Sequence, residues 1–416
     1  MHRYRLTRVK GLLAFAVLAA CHGGSGLAAS VVAPRSVRPG IDVAVTDSIG
    51  LFRGKRVGLV TNVAAVDAHG VGDITRFRAA GINLVALFAP EHGLTESAAP
   101  GEHVGSSVDS STHVPIYSLY GRTVAPTAEM LAGIDVIVVD LPDVGARYFS
   151  YLATTVEVMK AAAVHRIPVV ILDRPNPLGG TIEGNILDTA FTSMVGRLAV
   201  PIRYGLTLGE EARLAASDLD IPVALTVVPV AGWHRSMLFA QTGLPFRAPS
   251  PNLQTLAAVQ AYPGSCLFEG TALSVGRGTD AAYLQVGAPW LDTTAVLQRV
   301  RQAHLAGVTF RAVQFTPHAP GDKKFADTLV AGIRWEVTDP QHFDPVFASL
   351  TLLTIMQAVH PGQVKVGGSF DRLAGGKTLR EAIVRGDTPA AIVATWRAGL
   401  EAYRLRARPF LLYGAL

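Results

Sequence analysis

Cysteine is nearly absent: the 416-residue chain has two, Cys21 and Cys266. That count excludes a disulfide framework and a cysteine-rich metal site. No HExxH spacing occurs, so zinc hydrolysis has no local signature. No GxGxxG follows the first predicted strand, and GxxxxGK[ST] and GxSxG are missing, which removes local support for a dinucleotide, a nucleoside triphosphate or a serine esterase elbow. Charged residues are sparse at 17% against 49% hydrophobic, a balance that fits a folded chain and not a disordered one. Beyond the N-terminus no apolar run is long enough to span a bilayer. A lasting excess of positive charge is also lacking. The formal charge of +5 falls to +1 without the first 21 residues, which carry four basic side chains and no acid. A nucleic-acid partner is therefore not indicated. No metal and no organic cofactor are expected.

What is present begins with an export signal. Arg3, Arg5, Arg8 and Lys10 precede the apolar run Gly11 to Ala20, the order of a signal peptide. Leu18-Ala19-Ala20-Cys21 has the form of a bacterial lipobox, in which the cysteine becomes the lipidated first residue; cleavage near Ala29 is the alternative. If Cys21 is lipidated, Cys266 has no disulfide partner. Residues 1–21 are read as signal and lipobox, and 22–40, rich in Gly, Ser, Ala and Pro, as a flexible tether. The expected location is outside the cytoplasm, periplasmic or anchored to the membrane by lipid. Oligomeric state is not legible.

From residue 41, strand and helix alternate. RVGLVTN, LVALFAPEHG, DVIVVDLPDVG and PVVILDRPNP are apolar runs ending in polar residues, with helical stretches between them such as 151–164. This predicts an α/β fold, a Rossmann-like doubly wound parallel sheet over 41–222. From residue 223 the texture changes to Pro- and Gly-rich loops with further strands, read as a smaller α/β domain over 223–416. In the tail, Thr388 and Pro389 signal a helix start, with Ile392, Trp396, Leu400 and Tyr403 at helical spacing as core.

Ligands of open parallel sheets bind beyond the carboxyl ends of the strands, and four of the predicted ends carry polar groups. Glu91 and His92 follow the second strand directly and precede a long polar segment, 92–111, of the kind that covers a site; Glu91 equally suits a helix start. Asn62 ends the first strand. Asp140 and Asp143 end the third, close enough that one cleft would separate their pKa values, though Asx turns use the same residues. Arg147 is a candidate anion clamp. Asp173, Arg174, Asn176 and Glu183 lie in a rigid Pro- and Gly-rich loop that is either a binding loop or a connector. The second half adds Ser250, Asn252, Glu269, Arg277 and Asp280.

These strings resemble the NamZ-type exo-β-N-acetylmuramidases, a bacterial glycoside hydrolase family. GKRVGLVTN, LFAPEHG, VPIYSLYG, DVGARYFSYL, LDRPNPLGG, the RYGLTLGE region, TGLPFRAPSPN, YPGSCLFEGTALSVGRGT and GAPW match in order over residues 54–290. The resemblance implies a Rossmann-like domain and a smaller α/β domain with the active cleft between them. It also implies release of non-reducing-terminal N-acetylmuramic acid (MurNAc) from peptidoglycan fragments, with Glu91 as the catalytic carboxylate. A second carboxylate is then required, taken in the order Asp143, Asp140, Glu269. For the lactyl carboxylate of the sugar, Arg147 and Arg277 come first and Arg174 after them. Three positions depart from the family pattern: Tyr204 where a His is expected, Leu94-Thr95 in place of a basic residue and Gly, and Ala281-Ala282-Tyr283 in place of a Pro-Phe pair. Two other readings stay open: a different hydrolase of wall sugars, and a non-catalytic muropeptide-binding lipoprotein.

Overall fold

Four runs of Val, Ile and Leu form the centre of the first sheet: β1 (Arg56–Val60), β2 (Asn83–Ala89), β5 (Val136–Val139) and β6 (Val169–Leu172). In the computed structural model, which describes residues 36–95, 105 and 107–416, they are joined by β3 (Ser107–Val108), β4 (Pro115–Ser118) and β7 (Leu225–Val228). The order is β3-β4-β2-β1-β5-β6-β7, parallel except for the β3–β4 pair. Every residue of β5 and β6 is buried, as expected for strands covered by helices on both faces. Chain order runs outward from β1 through β2 to β4, then returns to β5 on the other side of β1. The ends of β1 and β5 therefore flank the topological switch point.

The second sheet is antiparallel, in the order β8 (Gln285–Ala288), β10 (Val330–Val337), β9 (Val308–Phe315). One hydrophobic cluster runs from the parallel sheet through both sets of elements; Phe88, Tyr151, Val259, Ile333, Leu350 and Tyr403 all belong to it. A second cluster, with Ile41, Phe52, Phe77 and Leu87, fills the opposite face of the parallel sheet.

Three boundaries differ from the sequence reading. Residues 36–40, read there as the end of a flexible tether, are part of the fold: Val37 is buried, Arg38 pairs with Ala231, and Gly40 opens the helix Gly40–Thr46. Residues 225–228, assigned there to the second domain, are the edge strand of the first sheet, paired in parallel with β6. Their alternating burial is that of an edge, so they do not read as a continuous apolar run. The C-terminal stripe spans two helices, Pro389–Ala394 and Arg397–Ala407, although Ile392, Trp396 and Tyr403 are buried as expected. Thr395 donates its hydroxyl to the Ile392 carbonyl at 2.6 Å, a side-chain competitor for the helical ladder at the break. The signal peptide, the lipobox, most of the tether and residues 96–104 and 106 of the polar segment lie outside the described residues.

Candidate active site

Pro90 ends β2, and the chain turns at once: His92 and Gly93 both have positive φ, 70° and 77°. This turn sets Glu91 and His92 at the carboxyl edge of the sheet. The Ser150 hydroxyl donates to Glu91 Oε2 at 2.6 Å. Ser150 is the residue before the helix Tyr151–His165 and makes no capping bond to it, so its hydroxyl is committed to Glu91. Tyr120 hydrogen-bonds the same carboxylate; burial, then the charge and hydrogen bond of Glu91, raise the Tyr120 pKa. Its position follows from the sheet, because β4 pairs with β2 and the Leu119 amide donates to the Ala89 carbonyl. His92 is buried, with Nε2 3.3 Å from the Ser250 hydroxyl.

A second carboxylate enters from the other half of the chain. Glu269 lies on the short 3-10 turn Cys266–Gly270, where a Cβ at Gly270 would stand 2.4 Å from Phe370 Cα. Glu269 Oε1 accepts from Arg277 Nε and from the Tyr283 hydroxyl, the latter at 2.9 Å. Arg277 Nη2 in turn donates to the Tyr283 hydroxyl at 2.6 Å. Burial alone lowers the Arg277 pKa, but Tyr283 and Glu269 more than reverse it, so the guanidinium is held charged. Gly276 and Gly278, both at positive φ, let the loop carry Arg277 between Gln285 and His318, which a Cβ at either glycine would strike.

Glu91, His92, Ser150, Ser250, Glu269 and Arg277 line one pocket, walled further by Tyr148, Phe149, Tyr262 and Tyr283, with about 490 Å³ of space partly open to solvent. Paired carboxylates in an aromatic-walled pocket with one fixed cation suit acid–base chemistry on a polar ring.

The other predicted residues are placed elsewhere. Asp140 is fully buried and gripped by Arg174, Nε to Oδ1 at 2.5 Å and Nη2 to Oδ2 at 2.9 Å. Burial raises its pKa even against that guanidinium, and the pair fills the switch point between β1 and β5. Asp143 accepts from the Tyr204 hydroxyl and the Gly145 amide and faces a separate, proline-lined cavity. Arg147 is no anion clamp: its guanidinium donates to the carbonyls of Asn185, Val200, Leu373 and Ala374 at 2.7–3.1 Å. Asn176 bonds the Leu206 carbonyl and the Leu178 amide, and Asn62 the Tyr151 hydroxyl and the Ala64 amide. Asn252 donates its backbone amide to the Ser250 hydroxyl and lies outside the pocket lining. Ser150 and Tyr120 were not singled out from the sequence. A serine directly before a helix is a signal in hindsight, whereas nothing local marks Tyr120.

The chain matches two family models, exo-beta-N-acetylmuramidase NamZ N-terminal over residues 57–257 and C-terminal over 260–413. It is 37% identical over 407 residues to the peptidoglycan beta-N-acetylmuramidase NamZ of Bacillus subtilis strain 168, covering 97% of this chain and 98% of that one. Two crystal structures of DUF1343-family proteins from Bacteroides fragilis share the fold. One has a TM-score of 0.84 at 31% identity and the other 0.74 at 28%; each alignment covers 91% of this chain and 99% of the other.

Proposed function

This chain belongs to the NamZ family of exo-β-N-acetylmuramidases, and from that premise we propose how its pocket performs the reaction. The protein is an exo-acting glycosidase that releases MurNAc from the non-reducing ends of peptidoglycan fragments. The observation that carries the mechanism is the meeting of Glu91 and Glu269 in one pocket. Glycoside hydrolysis needs a proton donor at the leaving oxygen and a second carboxylate at the anomeric centre. Glu91, whose hydrogen bonds come from the neutral hydroxyls of Ser150 and Tyr120, is assigned as the acid. Glu269, tied to the Arg277 cation, is assigned as the carboxylate that faces the developing positive charge.

The test is mass-resolved product analysis on MurNAc-β-1,4-GlcNAc. Wild type releases free MurNAc, and Glu91→Gln and Glu269→Gln each lower kcat at least about a hundredfold, the loss typical of a missing acid–base group. Near-normal turnover by either variant, with its fold intact by circular dichroism, removes that residue from the pair.

We also propose that the protein is exported and anchored through Cys21, on the strength of the basic, apolar and lipobox order of residues 3–21. Expressed in a bacterium fed an alkyne-labelled fatty acid, the wild type takes up label and Cys21→Ser does not; an unlabelled wild type refutes the anchor.

A further inference from the structure

Muramic acid differs from other N-acetylhexosamines in an ether-linked lactyl arm ending in a carboxylate, and a buried carboxylate needs a cation. The guanidiniums that sequence reading offers for it are all engaged. Arg147 is spent on four carbonyls, Arg174 on Asp140, and Arg277 on Glu269 and Tyr283. Residues 96–106 contribute no lysine or arginine.

A second space is bordered by the same two chain segments that border the Glu91 pocket. In the turn after β2, Glu91 and His92 face one side and Leu94 and Thr95 the other; in the loop 247–250, Ser250 faces one side and Arg247 the other. The Val63 amide donates to the Leu94 carbonyl, and Asn62, which lines the second space, holds Tyr151 next to Ser150. This second cavity has about 1170 Å³, much of it open to solvent. Its polar lining includes Asn62, Thr75, Thr95 and Ser111, and Arg247 is the one cation among the described residues that line it. Two carboxylates stand at its wall, and both are turned to their own partners: Asp109 accepts from Ser111 and Thr112, and Asp73 from the Thr61 hydroxyl and the Ile74 amide.

Arg247 is exposed and makes no ion pair among the described residues. Its guanidinium rests against Gly70, where a Cβ would stand 3.4 Å from Nη2 and where φ is 80°. The nearby Asp67 is not its partner, since that carboxylate binds Arg76 and the amides of His69 and Val71.

We propose that Arg247 and this cavity form the subsite for the carboxylate borne by the lactyl arm, with the sugar ring held beside Glu91. The assignment rests on the muramidase reading and deepens it. The carboxylate is either the lactyl group's own or that of an acidic peptide joined to it; the chemistry recognised is the same.

The experiment compares three substrates: MurNAc-β-1,4-GlcNAc, its lactyl methylamide, and its conjugate with an acidic dipeptide. Wild type, Arg247→Gln, Arg247→Lys and Arg122→Gln are assayed on each at low and high salt. Arg122 is the exposed cation two residues beyond Tyr120 and serves as the control. Arg247→Gln is expected to raise KM about tenfold on carboxylate substrates, with kcat little changed, and to match wild type on the methylamide. Arg247→Lys restores part of the loss, and added salt narrows the gap, as for a solvent-reached ion pair. The free acid and the dipeptide conjugate separate the two carboxylate sources by which of them shows the larger Arg247 effect. An equal loss on the methylamide, no loss on either acid, or a charge-dependent loss that follows Arg122 instead overturns the proposal. Failure of wild type to cleave any of the three refutes the muramidase reading, and this assignment falls with it.

Discussion

Asp143 carries two possible readings that a single substitution separates. It follows β5 by four residues, and burial pushes its pKa up to about 6 against the hydrogen bonds from Tyr204 and Gly145. Its Oδ1 is buried without a hydrogen-bond partner among the described residues. A carboxyl raised in the folded state binds more protons there than in the unfolded chain between about pH 4 and pH 6, so its contribution favours folding at low pH and is lost as pH rises through that window. Asp173, also raised to about 6 by burial among Tyr413, Thr207 and Gly209, adds to the same slope. Asp143→Asn removes the charge and keeps an acceptor for Tyr204 and Gly145. The variant is expected to be more stable than wild type at pH 8 by on the order of 1 kcal/mol, with the difference shrinking toward pH 4. Urea titrations at several pH values measure this. Its kcat/KM is expected to stay within about threefold of wild type, because the Glu91 pocket does not include it. A hundredfold fall instead would return Asp143 to the catalytic pair and displace Glu269.

At the scale of elements, what was legible follows from what each signal reports. Strands β1, β2, β5 and β6 are continuous apolar runs because both faces are covered, and a run of that kind is visible in one dimension. Thr388 and Pro389 marked a helix start because a cap is a local contact; the Thr388 hydroxyl accepts from the Ala391 amide at 3.2 Å. Position at a strand end was legible too, and it placed Glu91 at the edge of the site. What a strand end does with its polar residue was not. Asp140 and Glu91 both follow strand ends, on β5 and β2 to either side of β1, yet one meets Arg174 from the end of β6 and the other meets Ser150 and Tyr120. The partner in each case is at least 29 residues away in sequence, so only the sheet order brings it in. Glu269 was ranked behind Asp143 and Asp140 for the same reason: its entry into the pocket depends on how the turn at 266–270 packs against Phe370.

At the scale of the molecule, two sheets are not two independent bodies. Family models divide the chain near residue 258, but the main hydrophobic cluster passes through that boundary without a gap. Arg147 reinforces the union from within. It sits on the segment after β5, and its four carbonyl acceptors belong to two distant stretches, 185–200 and 373–374. Among the described residues no carboxylate offsets its charge, and burial lowers its pKa to about 10, so the guanidinium is held by oriented backbone dipoles contributed from both halves of the chain. Such an arrangement couples the stability of the parallel sheet to that of the antiparallel one, and with it the pocket that both supply. Unfolding should therefore be a single cooperative event. Amide hydrogen exchange in β8, β9 and β10 reports the antiparallel sheet, and exchange in β1, β2 and β5 reports the parallel one. In urea the two probes are expected to give one midpoint and one slope for wild type, and both midpoints are expected to fall together in Arg147→Ala, which strands four buried carbonyls. Separate midpoints in the wild type would mean that the continuous core does not transmit stability, and that the Glu91–Glu269 pocket is assembled from two halves that fold on their own.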